Sequence, residues 1–346
     1  MMSATIKDVA KLAGVSISTV SLALNRPNEV REETRQRVLE AVEKLNYHPN
    51  KMAQGLIRKR TGNISVTISG PQYEQFSSPL LFEIVKGISE VIRASEYDLM
   101  LHMTTAEEEV RFVREQIRSR SCDGMILWGS RMGEESLLDI FRHALPVVTI
   151  GRYLNHPGTY SVTSNDLHGG YYATKHLLEL GHRKIAFIGA LQGISSARER
   201  CDGYKNALVE YGVPVDANLV LSADYYQESG YAAMRRLLEL DKKGVTAVFA
   251  ASDLMALGAM KAVLDAGLRV PHDISVVGFD NIPNSDLFVV PLTTVAMPAR
   301  EMGEIAAAKM IHLLERQAVE EKTELDVELV VRNSTAPPIG ALGREG

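Results

Sequence analysis

From Asn63 onward the chain repeats one pattern: a short run rich in β-branched and aromatic residues, then a longer amphipathic stretch. The runs are ISVTIS, YDLMLHM, DGMILWG, PVVTIG, KIAFIGA, AVFAAS and ISVVGFD, and helical periodicity fills residues 80–94, 168–180, 229–240 and 253–266 between them. Strands that alternate with helices pair in parallel, because a crossover helix returns the chain to the same end of the sheet. Helices then cover both faces, which is why the strands are apolar runs and not alternating ones. The pattern predicts an α/β body with parallel sheets. It is too long for one sheet, so two similar lobes are expected.

The first 50 residues carry three helical patterns and no strand-like alternation. Thr5 followed by Asp8 has the form of a capping box opening a helix over Ile6–Leu12. Gly14 breaks that helix, and Ser16 is placed to cap a second one that runs through Asn25. A loop containing Pro27 leads to a third helix, about Glu32 to Leu45. Ala10 is small enough for a close helix crossing, Gly14 can take a left-handed turn, and Val20 with Leu24 forms an inward stripe. This is the spacing of a helix-turn-helix. Helical geometry turns Ser18, Ser21, Leu22 and Asn25 to the opposite face, with Ile17 and Thr19 in the first turn, where side chains reach base edges or phosphates. Thr5 and Ser16, at the two helix starts, join them as candidate DNA contacts. An ordinary helical hairpin with a solvated polar face has the same spacing.

Charge is divided unevenly. The whole chain is −5, but residues 1–60 hold 11 Lys and Arg against 6 Asp and Glu, leaving 27 against 37 in the remainder. A basic end on an acidic body fits a small module that touches a polyanion. No window approaches the length of apolar chain that spans a membrane, and the N-terminus has no apolar signal core, so a cytoplasmic protein with no membrane association is expected. Cys122 and Cys201 are far apart and have no CxxC partner, and the nine histidines are scattered, with His156, His182 and His272 beside Pro, Gly or Arg. Neither a disulfide framework nor a metal site is indicated, and no cofactor is expected. Walker A, GxSxG and HExxH are absent, and no GxGxxG follows a predicted strand, so the positive case for an enzyme is missing.

The segment TIKDVAKLAGVSISTVSLALN closely resembles the DNA-binding signature of the lactose-repressor (LacI) family. VREETRQRVLEAVEKLNYHPN resembles that family's third helix, and the similarity continues to VVRNSTAPP near the C-terminus. The resemblance implies a helix-turn-helix head over 1–50, a hinge helix or linker over 51–61, and a two-lobed, periplasmic-binding-protein-like body over 62–340. The N-lobe would be about 62–161 with 293–322, and the C-lobe about 162–292 with 323–340. It further implies that Asn50 to Arg58 folds as a hinge helix only when two copies meet in the DNA minor groove, with Asn50, Ala53, Leu56 and Arg58 as contacts. Leu56 matches the family's wedge residue, which unstacks and kinks a base step. Two departures matter. Leu22 stands where many relatives have an arginine, and Gly55 weakens a hinge helix by up to ~1 kcal/mol.

In such relatives the cleft between the lobes holds a small-molecule effector. By resemblance Phe76, Trp128, Arg200, Tyr225, Ser252 and Asp280 fall on its contact positions: Arg200 for hydroxyls or a carboxylate, Asp280 as a hydroxyl acceptor, Trp128 as a face for a sugar ring. Gly151 stands where many relatives have an acid. The expected function is repression by a homodimer on near-palindromic double-stranded DNA, controlled by a carbohydrate acting as inducer or co-repressor. A carbohydrate-processing enzyme with a helical head and an exported transport-type binding protein are the alternatives.

Overall fold

The structure is a computed structural model, and it describes residues 4–25, 27–47, 60–70, 78–189, 194–240 and 244–339. The expected contacts Asn50, Ala53, Leu56, Arg58 and Phe76 lie outside these residues. The chain divides into two compact units, Met1–Gly62 and Asn63–Gly346.

The first unit holds helices α1 (Ile6–Ala13), α2 (Ile17–Asn25) and α3 (Glu32–Lys44). At its start the backbone N–H and the hydroxyl of Thr5 donate to Asp8 Oδ2 at 2.9 and 2.7 Å. These bonds satisfy groups that a helix end leaves open, and they hold the Asp8 carboxyl below its ordinary range. Gly14 ends α1 at φ 67°, with its N–H donated to the Ala10 carbonyl. Ser16 Oγ accepts the Thr19 N–H at 3.1 Å and starts α2. Val9, Ala10, Val20, Ala23, Val38 and Ala41 form a small buried core. Its alanines let the three helices cross closely, and α2 is left with one face free.

The second unit contains two six-stranded sheets. One has the order β2 (Asp98–Thr104), β1 (Asn63–Ser69), β3 (Gly124–Trp128), β4 (Val147–Ile150), β5 (Tyr160–Ser164), β11 (Lys322–Leu325). The other runs β7 (Val220–Leu221), β6 (Ile185–Ile188), β8 (Ala247–Ala250), β9 (Ser275–Asp280), β10 (Thr293–Ala296), β12 (Glu328–Val330). Neighbours pair in parallel except β10 with β12. Ile64 to Ser69 are all buried, as a strand covered on both faces requires. Each sheet has its own core, one built around Phe187, Tyr204 and Phe249, the other around Ile64, Ile126 and Met302.

The chain crosses between lobes three times, each time later than expected. Strand β5 continues to Ser164 within the first sheet, β10 lies in the second sheet to Ala296, and β11 pairs with β5 to Leu325. The expected boundaries at about 161, 292 and 322 are corrected accordingly. The cause is composition: YSVTS, TTVA and KTEL are strands without an apolar run, so hydropathy does not reveal where they end.

Close helix contact completes the frame. The helices Asp166–Glu179 and Ser195–Glu210 meet through Gly170 and Gly203. A Cβ on Gly170 would stand 2.2 Å from the Arg200 carbonyl oxygen, and one on Gly203 would stand 2.1 Å from that of Leu167. Any side chain would force these backbones apart.

Candidate ligand cleft and nucleic-acid interface

In open parallel sheets, ligands sit beyond the carboxyl ends of the strands. Here the carboxyl ends of both sheets face one cavity of about 1150 Å³, open mouth included. Ser69 at the end of β1, Trp128 to Arg131 from the end of β3 and Ile150 to Arg152 from the end of β4 form one wall. Asp166, Arg200, Tyr225, Ser252 and Asp280 form the other.

Arg200 organises the C-lobe wall. Its Nε donates to Asp166 Oδ1 at 2.7 Å, and Nη1 donates to the Ala251 carbonyl and, at 3.4 Å, to Asp280 Oδ1. The guanidinium carbon of Arg200 lies over the Phe279 ring, 3.6 Å from its centroid. Burial works against its charge, but the carboxylates of Asp166 and Asp280 outweigh burial and hold its pKa above the ordinary value. Burial also pushes the Asp280 carboxyl upward, against the pull of Arg200. Asp280 and Tyr225 have φ of 114° and 79°, a strained geometry for side-chain-bearing residues that costs ~1–3 kcal/mol each and clusters at binding sites. The Tyr225 hydroxyl lies 3.3 Å from Ser196 Oγ. Ser252 lines the cleft, but its hydroxyl is engaged: it donates to the Tyr225 carbonyl and accepts the Met255 N–H, both at 3.2 Å.

The N-lobe wall is apolar at Ile68, Trp128 and Ile150 and cationic at Arg131 and Arg152. Trp128 is half-buried at the end of β3. Arg152 Nη1 donates to the carbonyls of Ser130 and Met132, and burial lowers its pKa. Glu109, 1% exposed, accepts the Arg131 backbone N–H at 3.0 Å, and burial raises its carboxyl. Gly151 takes φ 75° with open space where a Cβ would stand.

On the head, Thr5, Ser16, Ile17, Ser18 and Leu22 are exposed and Thr19 and Ser21 half-buried. Ser16 Oγ lies within 2.8 Å of the Ser18 and Thr19 hydroxyls. Ile17 and Leu22 are 44% and 36% exposed, so apolar surface stands beside hydroxyls on the face opposite the core. Such a mixture suits phosphate oxygens and thymine methyls.

The structure thus brings Trp128, Arg200, Tyr225, Ser252 and Asp280 to one cavity and sets the described candidates of α2 on its free side. Sequence reasoning missed Asp166, the closer of the two carboxylates paired with Arg200, and the two arginines of the opposite wall. Arg131 and Arg152 lie three and two residues beyond the runs DGMILW and PVVTI, so the strand-end rule marks their neighbourhood. Nothing local marks Asp166. Both cysteines are buried and free, and among the described residues no cluster suited to a metal ion forms. No helix among the described residues is long and apolar enough to cross a membrane.

Comparison with known proteins agrees with this arrangement. Residues 5–50 match the model of bacterial regulatory proteins of the lacI family, and residues 174–335 match that of the periplasmic binding protein-like domain. The transcriptional repressor PurR of Mannheimia succiniciproducens is 35% identical over 335 residues, spanning 96% of this chain and 98% of that protein. The ribose operon repressor of Halalkalibacterium halodurans is 34% identical, spanning 96% and 97%. Among solved structures, the Lac repressor dimer bound to operator and the anti-inducer ONPF superposes with a TM-score of 0.85 at 29% identity, covering 97% of this chain and 100% of that one. The complex of the regulator CelR with cellobiose gives 0.74 at 32% identity, covering 96% and 99%. The chain belongs to the lacI family of DNA-binding transcriptional repressors whose action a small molecule controls.

Proposed function

We propose that the chain acts in the cytoplasm as a homodimer on a near-palindromic operator, and that a carbohydrate in the cleft sets its operator affinity. The observation that carries this reading is the make-up of the cleft: Trp128 offers an aromatic face on one wall, and Asp280 with Arg200 offers acceptors and donors on the other. A sugar has the same two aspects, an apolar ring face and a polar rim. The cellobiose complex of CelR and the name of the ribose operon repressor support the ligand class.

The dimer is supported by large apolar side chains left exposed on both lobes. Phe82 and Leu101, the latter on edge strand β2, are 57% and 45% exposed, and Leu287 and Val289 are 74% and 94% exposed. A ligand that touches both lobes favours one angle between them, and in a dimer that angle sets the spacing of the segments leading to the two heads. A coupling of ~3 kcal/mol would change operator affinity roughly 150-fold.

The test is enrichment of genomic fragments by the purified protein, followed by titration of the recovered site with sugars while fluorescence anisotropy follows DNA binding. One palindromic site, released by an inducer or tightened by a co-repressor, is the expected result. Failure of the folded protein to enrich any site, with or without sugars, overturns the reading.

A further inference from the structure

The two walls of the cleft differ in charge. The C-lobe wall carries three carboxylates, Asp166, Asp224 and Asp280, and one cation, Arg200. That cation is already neutralised by Asp166 at 2.7 Å and Asp280 at 3.4 Å. An anion arriving there would meet acid groups and a spent guanidinium. Arg200 therefore suits hydroxyls, which can share its remaining donors without displacing its carboxylates.

The N-lobe wall is the reverse. Among its described lining residues are Arg131 and Arg152 and no carboxylate. The Arg131 guanidinium makes no hydrogen bond or ion pair with any described residue; its recorded bond is through the backbone N–H. Arg152 commits Nη1 to two carbonyl oxygens and leaves Nε and Nη2 without a described partner. Two acids outside the cavity lining, Glu109 and Glu134, act on the Arg152 charge, and Glu109 accepts the Arg131 amide N–H. On the same wall Ser69 is 7% exposed, and its Oγ, close to the Glu109 carboxyl, makes no well-formed hydrogen bond. A buried hydroxyl so weakly satisfied keeps capacity for a ligand atom or water. Two half-buried guanidinium groups beside such a hydroxyl form a ready receptor for a planar or tetrahedral oxyanion. A neutral ligand would desolvate both cations on binding and return only hydroxyl acceptors, weaker than the charge-assisted bonds of an oxyanion.

We propose that the effector is an anionic sugar, a polyol bearing one carboxylate or phosphate, seated with its oxyanion toward Arg131, Arg152 and Ser69 and its hydroxyls toward Arg200 and Asp280. This rests on the carbohydrate-effector reading above and narrows it. The divided charge also fixes the orientation, because the reversed ligand would place its anion among Asp166, Asp224 and Asp280.

The test uses the full-length protein, calorimetry and three matched probes for each of two sugars: glucose, glucuronate and glucose 6-phosphate, and the corresponding galactose series. An acidic member is expected to bind about tenfold or more tightly than its neutral parent, as charge-assisted bonds predict, with the advantage shrinking as salt is raised. The carboxylate and phosphate arms identify which oxyanion fits. Arg131→Gln should erase that preference with an unchanged melting temperature, since the guanidinium supports no described structure. Arg152→Gln should do the same with some loss of stability. A neutral parent that binds as tightly as its acids, or a preference that survives Arg131→Gln, overturns the inference. If a neutral sugar alone shifts operator binding, the anionic inference falls and the carbohydrate reading stands. If no probe of either kind binds while the operator still does, both fall.

Discussion

Asp253 is the residue at which burial and charge conflict most directly. Fully buried, its Oδ1 accepts the Thr294 hydroxyl at 2.5 Å and its Oδ2 accepts the Ile282 N–H at 2.8 Å. Burial raises its carboxyl well above the ordinary value, and the neighbouring Asp280 adds to the rise. A raised native pKa means that the folded chain holds a proton which the unfolded chain has already released. The stability contributed by Asp253 therefore declines as pH rises from about 4, the unfolded value, toward neutrality. Asp253→Asn removes this titration. In urea melts the variant should gain on the wild type as pH rises from about 4 toward neutrality. A difference between the two that stays constant across this range would show that Asp253 does not carry the effect. Local contacts at this scale were legible: Thr5 and Asp8 are three residues apart and announce their own bond. Arg200 was legible as a ligand group by resemblance, yet its partner Asp166 lies 34 residues away, a pairing that only the packed helices create.

The helix pair beneath Arg200 shows what an element contributes to a site. Gly170 touches the backbone of Arg200 itself, so the spacing of the two helices sets where the guanidinium points. Gly170→Ala should push the helices apart, destabilise the body by ~1–3 kcal/mol, the usual cost of overpacking, and weaken ligand binding. Thermal melts and calorimetry read the two effects; ligand affinity unchanged in a destabilised variant would show that Arg200 is positioned without this contact. The amphipathic helices and the apolar strands β1, β3, β4, β6, β8 and β9 were legible because burial on both faces leaves a continuous hydrophobic run. Strands β5 and β10 were not. Their buried residues include Ser161, Thr163, Thr293 and Thr294, and β-branched threonine packs well in a sheet while reading as polar in a hydropathy profile. Because these two strands border the crossings, the lobe boundaries moved with them.

At the scale of the whole molecule, operator and effector are linked through one protein, and the coupling between them is reciprocal. Effector affinity measured with and without saturating operator should change by the same factor as operator affinity measured with and without effector. A mismatch would indicate a further species, such as a change of oligomeric state. The two-unit organisation was legible from the change in periodicity near residue 60. The charge pattern of the cleft was not, since its walls draw on loops from both lobes.

The three crossings also order the events of synthesis. Strand β11 at 322–325 completes a sheet whose other strands end at Ser164, and the helix Ala299–Leu314 packs on that same sheet. A ribosome that has made everything through Ala296 has therefore supplied neither lobe with all its layers, since β12 is also still to come. Sequence-distant pairing of this kind folds slowly and leaves apolar strands uncovered while it waits. The sheets on both sides of the ligand cleft are therefore complete only when the chain is nearly finished, although the cleft's own lining ends at Met302.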